Sequence, residues 1–153
     1  RKLVTSYTCP YLNGPESILL HPVTDLIAVT SYINNSIILL DHSGKTVRVI
    51  GGFPSSSLTE REHSSLSPFP LSGPLGLALS PTNTLVVTSY KTHTILEVDI
   101  TTGTVNILAD SKSERRLRGP TGISFHYQTF VVASYDNKKI LIFNMTLPYR
   151  STI

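Results

Sequence analysis

Of the four Ser-Tyr pairs in this sequence, three recur in one context: Ser31-Tyr32, Ser89-Tyr90 and Ser134-Tyr135. Each closes an apolar run and opens a polar turn, as in "LVVTSYKTHTILEVD" (Leu85 to Asp99). A serine hydroxyl becomes a nucleophile only beside a base that a third group orients. No Ser-His-Asp arrangement or Cys-His pair stands out, and the single thiol, Cys9, reads as inert near a sheet edge. The histidines stand at 21, 42, 63, 93 and 126, and no two have the short spacing of a shared metal site. His21 and His126 each follow a short apolar stretch, so a paired site is one reading; the plainer one is histidines at strand ends. Gly51-Gly52 is a turn after a strand rather than a phosphate-cradling loop. No catalytic residue, metal or cofactor is expected.

Composition narrows the elements that hold these residues. The chain has 153 residues, 40% hydrophobic and 15% charged, which places it among globular domains. Val, Ile, Leu, Thr, Ser and Tyr dominate, the chemistry of strands and turns. The formal charge of +3 is mildly basic. No apolar run approaches a membrane span, so no membrane contact is expected. One cysteine allows no internal disulfide and leaves the compartment open. The absence of an initiator Met reads as a processed, excised or fragmentary chain. Asn34-Asn35-Ser36 and Asn144-Met145-Thr146 fit the glycosylation acceptor pattern, at about the frequency chance supplies in so Ser/Thr-rich a chain.

The Ser-Tyr pairs belong to a longer repeat. Gly14-Pro15, Gly73-Pro74 and Gly119-Pro120 each lead into a short apolar stretch: "ESILLHP", "LGLALSP" and "TGISFHY". The run ending in Ser-Tyr follows, then a polar turn, then "IILLD", "ILEVD" or "ILIFN". Two units continue into a fourth run, "TVRVI" or "TVNIL". Each unit is therefore four short antiparallel strands, and the later Gly-Pro pairs recur at the period of a propeller blade. The longer first interval places an insertion within Gly51 to Pro74. Strands apolar on both faces require cover on both faces, which radially packed blades supply. A β-sandwich competes, but it does not predict three matching units. The expected fold is all-β, a β-propeller fragment of about three blades. Its parts are 1–11, the outer strand of a preceding blade; 12–52, blade 1; 53–72, a Ser/Pro-rich insertion; 73–110, blade 2; 111–118, a basic loop; and 119–153, blade 3 with its last strand incomplete.

Gly73-Pro74-Leu75-Gly76-Leu77-Ala78 and Gly119-Pro120-Thr121-Gly122-Ile123-Ser124 resemble the opening of NHL-type repeats, and Asp99-Ile100-Thr101-Thr102-Gly103 is similar to the related YVTN-type repeat. The resemblance covers about Leu12 to Pro148 and implies a six-bladed ring. NHL-type blades usually carry Asp where this chain has Ser31, Ser89 and Ser134, and the first unit has Ser17 where the others have Gly76 and Gly122. Three blades do not close a ring. Further repeats of a longer polypeptide, or a second copy forming a homodimer, would complete it.

In such a meander the loops after strands two and four share one face. It collects Arg61, Lys91, Lys112, Arg115, Arg116, Arg118, Lys138 and Lys139 with the acids Glu60, Glu62, Asp110, Glu114 and Asp136. The expected binding residues are Tyr32, Tyr90, Lys91, His93, Arg115, Arg116, Tyr135, Lys138 and Lys139. The expected function is a non-enzymatic scaffold that binds a protein partner through this face. Single-stranded RNA is the alternative, as some NHL-type domains bind it, although mixed charge makes a poor phosphate track. A metal-dependent lactonase or esterase in the channel is the third reading. It lacks carboxylates, because the innermost segments offer Glu16 alone. The insertion reads first as a passive linker, with Ser65 and Ser67 at a Ser-Pro as an alternative reading of a loop open to modification. Within "TSY", Ser is expected to bond the backbone of its own turn. Tyr is expected to pack on a neighbouring blade with its hydroxyl in water.

Overall fold

The computed structural model describes residues 6–52 and 70–145. The first sheet holds β1 (Pro15–Leu20), β2 (Ile27–Ser31), β3 (Ser36–Leu40) and β4 (Thr46–Gly51). The second holds β5 (Pro74–Leu79), β6 (Leu85–Ser89), β7 (Thr94–Val98) and β8 (Val105–Asp110). The third holds β9 (Pro120–His126), β10 (Thr129–Ser134) and β11 (Lys139–Asn144). Neighbours in sequence are neighbours in each sheet, and every pairing is antiparallel. Across sheets, β1 meets β5 and β5 meets β9, so the first strands line one side of the stack. These are blades of a partial β-propeller.

Strand periodicity explains how one sheet serves two interfaces. Successive side chains point to opposite faces. In blade 2, Leu85, Val87, Leu96 and Val98 turn to blade 1, where they meet Ala28, Ile37 and Leu39. The alternate residues Val86 and Ile95 turn to blade 3 and meet Phe130, Val132 and Leu141. Every residue of β6 is therefore buried. In β10, by contrast, Phe130, Val132 and Ser134 are buried while Val131 and Ala133 are exposed. Phe130 lies between Phe125 and Phe143, at centroid distances of 5.1 and 4.9 Å.

Residues 6–11 take no strand, and the Tyr7 hydroxyl donates to the His42 carbonyl at 2.6 Å. Residues 1–5, the insertion 53–69 with Glu60, Arg61, Glu62, His63, Ser65 and Ser67, and residues 146–153 lie outside the described residues.

Candidate functional site

Each repeated serine is fully buried, at 0%, 0% and 1% exposure for Ser31, Ser89 and Ser134. Its backbone partners lie not in its own turn, as the sequence predicted, but in the segment entering the blade; from its own turn Ser89 Oγ accepts only the Thr92 hydroxyl, at 2.7 Å. The N–H groups of Asn13, Ser72 and Arg118 donate to Ser31, Ser89 and Ser134 Oγ at 2.8, 2.7 and 2.8 Å. Each hydroxyl in turn faces two carbonyls: Tyr11 and Asn13, Pro70 and Ser72, or Arg116 and Arg118. The cause is the glycine before each proline. Gly14, Gly73 and Gly119 take φ of 64°, 61° and 55°, a conformation that glycine adopts without a Cβ penalty. Their carbonyls accept from Tyr32, Tyr90 and Tyr135 N–H, so the incoming chain runs against the end of the second strand. A hydroxyl whose proton and lone pair are both committed is an anchor, not a nucleophile.

The residues after each serine tie blade to blade. Lys91 Nζ sits 4.7 Å from the centroid of the Tyr32 ring. The Tyr90 hydroxyl donates to Asp136 Oδ1 at 2.9 Å rather than to water alone, and this bond pushes the phenol above its ordinary pKa. Tyr135, with no described blade beyond it, is 69% exposed. Three residues after the tyrosines, Asn35, His93 and Lys138 take φ of 53°, 55° and 57°. Asn35 Oδ1 accepts the Gly73 N–H at 2.8 Å, and His93 Nδ1 accepts the Gly119 N–H at 2.9 Å. His93, expected to contact a partner, is thus occupied in joining blade 2 to blade 3. One residue before the serines, Thr30 donates to the Leu75 carbonyl and Thr88 to the Thr121 carbonyl of the following blade.

The charged groups on this face are unequally engaged. Arg116 clasps Glu114 through Nε and Nη2 at 2.8 and 2.9 Å, which with the Arg116 N–H holds the Glu114 carboxyl down to about 2. Asp110 accepts from the Ser113 and Lys112 N–H groups, which lower its pKa. Asp136 receives the Tyr90 hydroxyl. Lys112, Arg115, Arg118, Lys138 and Lys139 are exposed, with no side-chain hydrogen bond or ion pair among the described residues. Of the nine expected binding residues, Arg115, Tyr135, Lys138 and Lys139 remain open. Lys91 is exposed over Tyr32, and Tyr32, Tyr90, His93 and Arg116 have partners within the fold.

The paired-histidine reading is overturned. His21 is 2% exposed; its Nε2 lies 2.8 Å from the Asn83 carbonyl and its Nδ1 accepts the Thr24 N–H at 3.2 Å. Both ring nitrogens are therefore engaged, Nδ1 within its own turn and Nε2 in joining that turn to the one in blade 2. His126 is exposed, edge-on to Tyr127. Sequence reasoning missed Thr30, Thr88 and Asn35 as connectors. It also missed that Leu12, Leu71 and Leu117 each stand two residues before the repeated glycine, a visible extension of the Gly-Pro signal.

Comparison with solved structures agrees with the blade architecture. A virginiamycin B lyase from Staphylococcus aureus superposes with a TM-score of 0.60 at 15% identity, covering 88% of this chain and 42% of that one. A chain of a nidogen/laminin complex gives 0.65 at 14%, covering 89% and 45%. A gluconolactonase from Xanthomonas campestris gives 0.59 at 14%, covering 84% and 38%. At such identity the likeness concerns the fold alone, and this chain spans less than half of each. No protein-family model matches the sequence, and no curated protein matches it. The chain is a partial β-propeller.

Proposed function

We propose that this chain is a non-enzymatic propeller scaffold whose loop face binds an acidic segment of a partner protein. One observation carries the reading. Asp110, Glu114 and Asp136 are each engaged within the fold, while Lys112, Arg115, Arg118, Lys138 and Lys139 present uncommitted charge. The packed hairpins below hold those cations on rigid turns, which lowers the entropy lost on binding. An array of flexible ammonium and guanidinium groups without a stack of free rings favours a carboxylate-rich chain over nucleic acid. Base stacking needs open aromatic faces. Lys91 covers Tyr32 and the Tyr90 hydroxyl is tied to Asp136, so Tyr135 is the one repeat tyrosine free of a described partner.

Fluorescence anisotropy with a Glu/Asp-rich peptide, a neutral peptide of equal length and an oligouridylate tests the proposal. The acidic peptide is expected to bind preferentially, with affinity that falls as salt rises. Arg115→Glu/Lys138→Glu is expected to abolish that binding while leaving the melting temperature unchanged. Tighter binding of the oligouridylate, or no preference among the three, overturns it.

A further inference from the structure

The two ends of the blade stack are chemically unlike. Both interior interfaces are built from the same parts. Leu71 and Leu117 wedge into the cores, and Leu77 and Ile123 pack against the blade before them. The Gly73 and Gly119 N–H groups donate to Asn35 and His93. The Leu75 and Thr121 carbonyls accept the hydroxyls of Thr30 and Thr88. Each interface therefore has a giving side, with one hydroxyl and one acceptor, and a receiving side, with one amide and one carbonyl.

Blade 1 carries the whole receiving side on its open face. Leu12 stands at the wedge position, Ile18 at that of Leu77, and the Gly14 N–H and Glu16 carbonyl at those of Gly73 and Leu75. Ile18 is 70% exposed where Leu77 is 9% exposed. Pro15 is exposed where Pro74 and Pro120 are buried. The Gly14 N–H donates to no acceptor among the described residues. A hollow of about 370 Å³ opens there, lined in part by Leu12, Pro15, Ile18, Val29 and Leu40.

Blade 3 does not carry the giving side. Ala133 stands where Thr30 and Thr88 stand, and it has no hydroxyl. Lys138 stands where Asn35 and His93 stand, and an ammonium group donates but does not accept. Set against Gly14, it would bring donor to donor. We infer that the open face of blade 1 receives a propeller blade from outside this sequence, one with a hydroxyl at the Thr30 position and an acceptor at the Asn35 position. The third blade of a second copy does not meet that requirement.

Two measurements decide it. The chain alone is expected to sediment at 16.8 kDa, with the Gly14 amide exchanging at least about 100-fold faster than those of Gly73 and Gly119. A longer chain with residues 70–116 repeated directly ahead of Leu12 sets a second copy of Thr88 and His93 against the open face. Gly14 should then be protected to the level of Gly119. The same extended chain with Thr88→Ala/His93→Lys in the added copy should leave Gly14 unprotected, while protection of Gly73 in the original blade reports an intact fold. A dimer of the unmodified chain with Gly14 as protected as Gly73, or equal Gly14 protection in both extended chains, overturns the inference.

Discussion

The Tyr90 hydroxyl donates to Asp136 Oδ1 at 2.9 Å, joining the Ser-Tyr turn of blade 2 to that of blade 3 across 46 residues of chain. Tyr32 and Lys91 repeat the relationship one blade earlier with different chemistry, a cation over a ring. Position is repeated while residue identity drifts. In both pairs the tyrosine meets the first residue after the next blade's tyrosine, and that residue decides whether the contact is a hydrogen bond or a cation–π pair.

The Tyr90–Asp136 bond is expected to show in titration. A carboxylate that accepts the phenolic proton favours the neutral phenol, so the Tyr90 pKa lies above the ordinary value of 10.0. The bond's contribution to stability is present below the unfolded tyrosine pKa and is lost as pH rises through the raised folded value. Spectroscopic titration should show one tyrosine ionising late. Asp136→Asn should return it toward the ordinary range, and a late phenol that survives this change would refute the assignment.

Burial makes the serine anchors costly to lose. Ser89→Ala leaves the Ser72 N–H and the Pro70 and Ser72 carbonyls without their shared partner, a cost of about 1–3 kcal/mol. Ser124→Ala, at an exposed position, serves as the neutral reference. Ser89→Asp is expected to be worse than Ala. An ionised carboxylate accepts the amide proton but repels the two carbonyls to which the serine proton is directed. Urea unfolding of the three variants ranks them; an Asp variant as stable as the parent would show that the pocket does not need a donor.

The repeat was legible because its strongest signals are residue types that only a few backbone conformations admit. Gly-Pro marked the αL entry turn, and continuous apolar runs marked strands covered on both faces. The shared loop face followed from strand count alone. The connectors were not legible, for a physical reason. Asn35 and His93 have little in common except tolerance of positive φ and a side-chain acceptor, and neither property forms a sequence pattern. His93 read as a partner-binding residue because its acceptor role depends on the Gly119 N–H, which the fold brings to it. Arg115 and Arg116 looked equivalent for the same reason, since the clasp on Glu114 is set by the turn and not by the run of charge.

Two glycines at one repeat position separate an occupied interface from an open one. A Cβ built on Gly76 would collide with the Thr121 carbonyl oxygen of blade 3, whereas one built on Gly122 meets nothing within 4 Å. Backbone does not yield as a side chain tip does, so Gly76→Ala should force the inner strands apart, at about 1–3 kcal/mol or more. Gly122→Ala should be neutral in this chain. Thermal melts of both variants test the pair. Equal effects would mean that the two blade faces are not in the different environments described.

Arg115 and Arg116 are adjacent, but only Arg116 is expected to disturb the turn when substituted. Arg116 holds Glu114, whose pKa of about 2 lies below the ordinary value of 4.5. A depressed carboxyl contributes stability above its unfolded pKa and loses it as pH falls through the folded value. The turn from 114 to 117 should therefore loosen between about pH 4.5 and 2. The Arg116 and Arg118 carbonyls accept the Ser134 hydroxyl, so loosening should spread to Ser134. Amide chemical shifts of Glu114, Leu117 and Ser134 followed over that range should move together. Arg116→Glu should reproduce the acid-state shifts at neutral pH by setting like charges against each other. Arg115→Glu should leave all three amides in place while changing only the charge that the face presents. If both variants shift Ser134 equally, the Glu114 clasp does not hold the turn.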